Sequence, residues 1–253
     1  MSASEYDVLA PVYDTFQNQS ETEHWYELAL EQIRRYARIS GDGDAGRLLV
    51  CDLGCGTGEM CLRLAQEGYD VVGVDLSEDM LNIAREKCDR AGYDVLFLRQ
   101  DITKLDMYGT VDVFVCMTDT INHITDRKSM LNMVRSFNNF LNPGGIFVFD
   151  ALSLEHLRDT LGNNQFIVEE NGYFIVWENT YRSRNKTSVS EFTIFRHEAD
   201  NLYQRTECRI TEKHYTDKAF ESLLKESNMK IISKFEDSKT ETSHTRSLYV
   251  AQK

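Results

Sequence analysis

The run Leu48-Leu49-Val50-Cys51-Asp52-Leu53, closed by Gly54-Cys55-Gly56-Thr57-Gly58, constrains the fold more than any other part of the chain. A nearly unbroken apolar stretch ended by glycines is the pattern of a strand buried on both faces of a parallel sheet. A helical pattern from Met60 to Gly68 follows, and Tyr69 to Asp75 then repeats the apolar strand. Ser77 is placed to cap a helix whose first turn holds Glu78 and Asp79, favourable at its positive end. That helix is expected to bury Met80, Ala84, Cys88 and Ala91. Asp94–Asp101 and Val111–Met117 read as strands three and four. Met130, Met133, Val134, Phe137 and Leu141 then mark a long helix, stopped by Asn142-Pro143-Gly144-Gly145, before strand five at Ile146–Leu152. Strands alternating with helices at this spacing imply right-handed crossovers and an α/β, doubly wound, Rossmann-like and mostly parallel sheet.

The flanks follow other rhythms. Trp25, Leu28, Ala29, Ile33 and Tyr36 recur at a helical period that the Gly/Asp run Gly41–Gly46 ends. After a short helix near Ser153–Thr160, residues 166–215 are rich in Tyr, Phe, Ile, Val and Thr, with turn-like breaks at Asn171-Gly172, Arg184-Asn185 and Asp200-Asn201. This segment predicts antiparallel strands. A helix at Lys218–Ser227 and strands at Lys230–Phe235 and Ser247–Gln252 bring the main sheet to seven strands. About fifty residues in a small sheet need another surface to pack on. The chain therefore divides as one domain over 1–253, with a helical N-terminal lid at 1–40, a cofactor-binding core at 46–151, an antiparallel β insertion at 152–216 and the final core elements at 217–253.

Charge excludes some functions. The 253 residues carry a net charge of −13, and the longest basic clusters are pairs such as Arg34-Arg35, so a phosphate backbone or an anionic membrane is a poor partner. The excess lies mostly in residues 1–151, with 25 acidic against 13 basic residues, whereas 152–216 has 10 against 8. The acidic start lacks the pattern of a secretory signal, and no run of about 18 apolar residues occurs. A cytoplasmic location is expected. The six cysteines contain no CxxC pair, which suits reduced, buried thiols better than disulfides or zinc.

The glycine loop names its ligand by charge. Glycines after the first strand let a ligand approach the backbone, and Asp75, seventeen residues beyond Gly58, can accept from both ribose hydroxyls of an adenosine cofactor. A dinucleotide fingerprint started at Gly54 needs Gly or Ala at position 59, yet Glu59 stands where a pyrophosphate would sit. Together with Asp52, it favours a cationic, phosphate-free cofactor over NAD. S-adenosyl-L-methionine, with its sulfonium and ammonium, has that charge.

At this point the sequence resembles the class I S-adenosylmethionine-dependent methyltransferases. DLGCGTG (52–58) is similar to their first motif, GVDLSEDML (73–81) to the second, QDITKLD (100–106) to the third and FVCMTDTINHI (114–124) to the strand-four region, followed by LNPGGIFVFD (141–150) into strand five. YDVLAPVYD (6–14) resembles the N-terminal cofactor-covering helix of small-molecule members, and the β insertion resembles sugar N-methyltransferases in architecture. The resemblance implies that Gly54 and Gly56 bound the methionine portion, that Asp52 helps hold its ammonium and that Asp75 binds the ribose. Leu76 would pack on adenine, Asp101 accept from its amine with Ile102 alongside, Cys116 and Met117 lie at the sulfur, and Tyr13 close the site.

On the acceptor side, the expected reaction is in-line displacement at carbon, with transfer to N or O of a small molecule. His123 is the first candidate base, with Asp119 and Thr118 beside it. Tyr173, Trp177, Tyr181, Tyr203, Tyr215 and His214 are candidates to roof the acceptor. No DxD-type or histidine cluster suggests a metal. Rival readings are a non-catalytic S-adenosylmethionine sensor or protein-binding module, and a methyltransferase of RNA or protein; a homodimer is left open.

Overall fold

The computed structural model describes residues 3–16, 19–38, 47–200, 202–236 and 245–253; the break expected at Gly41–Gly46, and Asn201 of the last turn, lie outside them. The chain begins with helices α1 (Ala3–Leu9), α2 (Tyr13–Phe16) and α3 (Gln19–Tyr36). It then alternates β1 (Leu49–Leu53), α4 (Glu59–Gln66), β2 (Asp70–Asp75), α5 (Glu78–Ala91), β3 (Leu96–Arg99), β4 (Val111–Cys116), α6 (Arg127–Phe140) and β5 (Leu141–Leu152). Strands β6 (Gln165–Glu170), β7 (Tyr173–Arg182), β8 (Thr187–His197) and β9 (Tyr203–Lys213) follow, then α7 (Asp217–Lys225), β10 (Lys230–Glu236) and β11 (Arg246–Gln252).

Seven strands form the main sheet in the order β10-β11-β5-β4-β1-β2-β3, with β11 antiparallel to both neighbours and the other pairs parallel. Alternate residues of β4 explain its unbroken apolar run. Phe114 joins Phe137, Phe147 and Phe149 beneath α6 and α7, whereas Val113 and Val115 pack with Ala29, Ile33, Met60 and Leu64 beneath α3 and α4. Phe114 stacks on Phe137 at 4.6 Å between ring centroids, and Phe149 on Tyr249 at 5.0 Å, so aromatic contacts tie α6 and β11 into one layer. Ser77 caps α5 by accepting from the Met80 N–H at 3.1 Å.

Two expectations on element detail change. Ala91 is exposed in the last turn of α5, which ends on Gly92 with φ 79°. Leu141 is buried, but it begins β5 opposite Val111 instead of closing α6. The register then jumps to Val113–Ile146, so Asn142-Pro143-Gly144-Gly145 forms an irregularity within a strand. The Lys253 ammonium donates to the carbonyls of Phe137, Asn138 and Leu141 and satisfies that helix end.

The second sheet is antiparallel, in the order β6-β7-β8-β9. Its inner face presents Ile175, Phe192, Ile194, Cys208 and Ile210 to Leu9, Ala10 and Val12 of the N-terminal helices and to Met80 of α5. The inserted sheet and the N-terminal helices thus cover each other above the core. All six cysteines are buried free thiols. Among the described residues no helix is long and apolar enough to cross a membrane.

Candidate active site

Between β1 and α4 the backbone turns through three left-handed glycines, Gly54, Gly56 and Gly58, with φ of 74°, 52° and 80°. At Gly54 a Cβ would lie 2.3 Å from Cγ2 of Thr120, so contact excludes a side chain as firmly as φ does. From the end of β2, Asp75 accepts from Gly56 N–H at 2.9 Å and from Ser77 N–H at 2.9 Å, fastening the loop to the neighbouring strand. Burial raises the Asp75 carboxyl above its ordinary range against the pull of these N–H donors.

This loop forms one end of a cleft of about 180 Å³ at the carboxyl ends of the strands. Its wall includes Tyr13, Gly54, Gly56, Asp75, Leu76, Asp101, Ile102 and His123, which is eight of the eleven site residues read from the sequence. Asp101 accepts from the N–H and hydroxyl of Thr103 at 2.9 and 2.7 Å. Burial raises its carboxyl, but these bonds and nearby Lys104 outweigh that and leave it below the usual range. Asp75, Asp101 and Asp126 supply the carboxylates of the wall, and no lysine or arginine lines it among the described residues.

Asp52, Cys116 and Met117 are not on this wall. Asp52 is buried behind the loop, where it accepts from the Cys61 thiol at 3.3 Å, and burial pushes its carboxyl up to about 7. Cys116 and Met117 are sealed into the cores on opposite faces of the sheet, and Thr118 is the residue after β4 that reaches the cleft. Glu59 opens α4 and pairs with Arg63 at 3.0 Å and Lys87 at 3.4 Å.

A second cavity of about 230 Å³ lies under the inserted sheet and shares Tyr6, Tyr13, Thr118 and His123 with the cleft. Trp25, Leu161, Trp177, Phe192 and Ile210 supply much of its apolar wall. Of the six aromatic and histidine candidates in the insertion, Trp177 alone lines it. Tyr215 donates to the Ile124 carbonyl from within the core, His214 lies 3.3 Å from the Leu152 carbonyl, and Tyr203 is exposed.

Asp119, His123 and Glu212 meet at one end of this cavity, with one ligand atom of each within 4.8 Å of the others. Arg246 reaches Asp119 Oδ1 at 3.2 Å and donates to Asp150, whose other oxygen accepts from Asp119 N–H at 2.9 Å. Burial, then the adjacent Asp119, raises the Glu212 carboxyl well above its usual range. Sequence reading misses Tyr6, Asp150, Glu212 and Arg246, and with them this metal-capable donor set, because their convergence is long-range. The only local signal is a charged residue inside an otherwise apolar strand, as at Asp150.

A doubly wound sheet with a glycine-loop cleft at its switch point, and a second cavity opening from that cleft, is the arrangement of a nucleoside-binding fold with room for a second ligand. Residues 50–145 match the family described as Methyltransferase domain. A protein of Geobacillus sp. (strain WCH70), named as an inferred methyltransferase, is 26% identical over 98% of this chain and 99% of its own length. The S-adenosylmethionine-dependent methyltransferase of Clostridium acetobutylicum ATCC 824 superposes with a TM-score of 0.79 at 24% identity, covering 97% of this chain and 96% of that one. The sugar N-methyltransferase KedS8 of Streptoalloteichus sp ATCC 53650 gives 0.71 at 20% identity, over 96% and 92%. Residues 50–145 thus carry a domain of the methyltransferase family, and the chain as a whole has the fold of the S-adenosylmethionine-dependent methyltransferase it superposes on.

Proposed function

We propose that the protein is an S-adenosylmethionine-dependent methyltransferase that methylates nitrogen or oxygen of a small molecule held in the second cavity. The observation that carries this reading is that cleft and cavity meet at Tyr6, Tyr13, Thr118 and His123. The cleft suits the cofactor: its loop admits close backbone approach at Gly56, where a Cβ would find only Tyr13 Cε1 at 3.9 Å, and its wall carries carboxylates and, among the described residues, no lysine or arginine. Gly54 and Gly56 bound the methionine portion, Asp75 accepts from the ribose, Leu76 and Ile102 flank adenine, Asp101 faces its amine, and Tyr13 closes the site. Asp52 acts from behind the loop. Bound there, the cofactor supplies an electrophilic methyl on a good leaving group. The chain's own work is alignment and exclusion of water, with His123 as the group that takes a proton. Burial lowers the His123 pKa, keeping the ring neutral and able to accept.

We read residues 1–40 and 152–216 as the acceptor lid on one cofactor-binding domain, and the reduced cysteines support a cytoplasmic setting. The likeness to KedS8, a sugar N-methyltransferase, and the lack of any basic run longer than a pair in the sequence both support a small molecule over nucleic acid. Isothermal titration with S-adenosylhomocysteine, on protein freed of co-purified ligand, tests the cofactor site. Binding is expected, with Asp75→Ala weakening it by about 30-fold or more. Absence of binding to the parent protein overturns the reading; unchanged affinity in the variant removes the ribose role.

A further inference from the structure

Beside His123, at one end of the cavity, carboxyl groups outnumber cations among the described residues. Among the described residues, Asp119, Glu212 and Asp150 face a single guanidinium, Arg246, which is bonded to Asp150 and 3.2 Å from Asp119. Asp119 comes from the loop after β4, Glu212 from β9 of the inserted sheet, and their carboxylates lie within 4.8 Å of each other and of His123. A shared proton relieves part of the repulsion, and a cationic ligand would relieve it while making charge-assisted hydrogen bonds. Beside Glu212, directly across the β8–β9 pairing and so on the same face, Ser188 is fully buried, and its hydroxyl has no hydrogen-bond partner among the described residues.

The rest of the wall bears on what the cation is. Tyr6, Trp25, Trp177 and Phe192 line the same cavity with aromatic surface, which attracts an organic ammonium and leaves room for an apolar body. A bare metal ion fits less well, because a cavity of about 230 Å³ with much apolar and aromatic wall far exceeds what an ion fills. Building on the methyl-transfer reading, we propose that Asp119 and Glu212 seat the ammonium of a small apolar amine, so that transfer is to nitrogen.

The step balances. The ammonium gives one proton to the His123 ring, whose Nε2 lies 3.9 Å from Asp119 Oδ2, so the imidazolium forms beside a carboxylate. The freed lone pair forms the N–C bond to the donor methyl as the C–S bond breaks, and that bond's electron pair stays on sulfur. The product leaves as an N-methylated ammonium, and His123 returns its proton to solvent.

Calorimetry on protein saturated with S-adenosylhomocysteine tests the seat, with 2-phenylethylamine and cyclohexylmethylamine compared with 2-phenylethanol and cyclohexylmethanol. Each amine is expected to bind about tenfold or more tightly than its matched alcohol. Glu212→Gln should abolish that preference and leave S-adenosylhomocysteine affinity unchanged. Equal binding of amine and alcohol, or binding of neither amine, overturns the proposal. So does a rise in melting temperature with magnesium or manganese alone that Glu212→Gln removes, since the cluster would then be a metal seat. Failure to bind S-adenosylhomocysteine would strike the methyl-transfer reading instead.

Discussion

The hydroxyl of Tyr6 lies 2.9 Å from Nε2 and 3.2 Å from Nδ1 of His123, joining the first helix to the loop region after β4 across 117 residues. The two rings meet edge to face at 83°. The N-terminal helix thus fixes the imidazole at the border between cofactor cleft and acceptor cavity. Tyr6→Phe keeps the ring contact and removes the hydrogen bond. It is expected to lower the rate of methyl transfer about tenfold, in keeping with one lost hydrogen bond of about 1–1.5 kcal/mol, with little change in S-adenosylhomocysteine affinity. Single-turnover rates and calorimetry on the same preparations check both halves; an unchanged rate would deny the bond any part in the chemistry.

His123 itself should titrate below the ordinary histidine value of 6.5. Burial disfavours its charged form, and the opposing effect of Asp119 is smaller. The native state therefore binds fewer protons here than the unfolded chain, so this group's contribution to stability is full above 6.5 and is lost as pH falls from there toward the folded value. NMR of histidine-labelled protein, with His123→Gln used for assignment, reads the pKa directly. A value at or above 6.5 refutes the burial argument.

Gly54→Ala combines a left-handed φ of 74° with a Cβ placed 2.3 Å from Thr120 Cγ2. Backbone strain of about 1–2 kcal/mol adds to the clash. The loop must move off Asp75 or Thr120 must move into the cleft. Loss of cofactor binding by about tenfold or more, with a lowered melting temperature, is the expected result. Near-native affinity would mean that the loop adopts another path without cost to the site.

The βα alternation, the glycine loop and Asp75 were legible in the sequence because each depends on neighbours within a few residues. A strand covered on both faces must be apolar at every position, and a tight turn must hold glycine. Glu212 and Arg246 were hidden for the complementary reason. A charged residue on a strand has the same local pattern whether it faces solvent or a cavity, and only packing of the N-terminal helices on the inserted sheet separates the two. Asp52 shows the same limit from the other side: its place before the glycines is local, but that its carboxylate is buried and accepts from the Cys61 thiol depends on how α4 packs against β1. Leu141 continued the helical apolar period of α6, which could not reveal that a neighbouring strand would capture it.

Asp52 has a consequence for stability. Burial pushes its carboxyl from 3.8 up to about 7, so the native state holds a proton that the unfolded chain releases at lower pH. The contribution is full below about 3.8 and is lost as pH rises to about 7, on the order of 1.4 kcal/mol per pH unit within that window. Asp52→Asn keeps an acceptor for the Cys61 thiol and cannot ionise. Melting temperatures of the cofactor-free proteins between pH 5 and about 8 should show the parent losing ground to the variant as pH rises. Parallel curves would mean that Asp52 ionises normally when buried.

Arg246 and Asp150 form the last test. Asp150 is fully buried, and its carboxylate accepts from Arg246 and from Asp119 N–H. Arg246→Met leaves one buried carboxylate without its cation and removes the counter-charge from Asp119, a change expected to destabilise the fold by about 3–5 kcal/mol. Asp150→Asn in the same chain removes the stranded charge while retaining an acceptor for Asp119 N–H. The double variant should therefore recover more than half of the loss, although it lacks more polar groups than the single one. Urea unfolding of the parent, both single variants and the double variant closes the cycle. Additive losses would show that the two residues do not share a buried ion pair, and that Arg246 acts on the cavity alone.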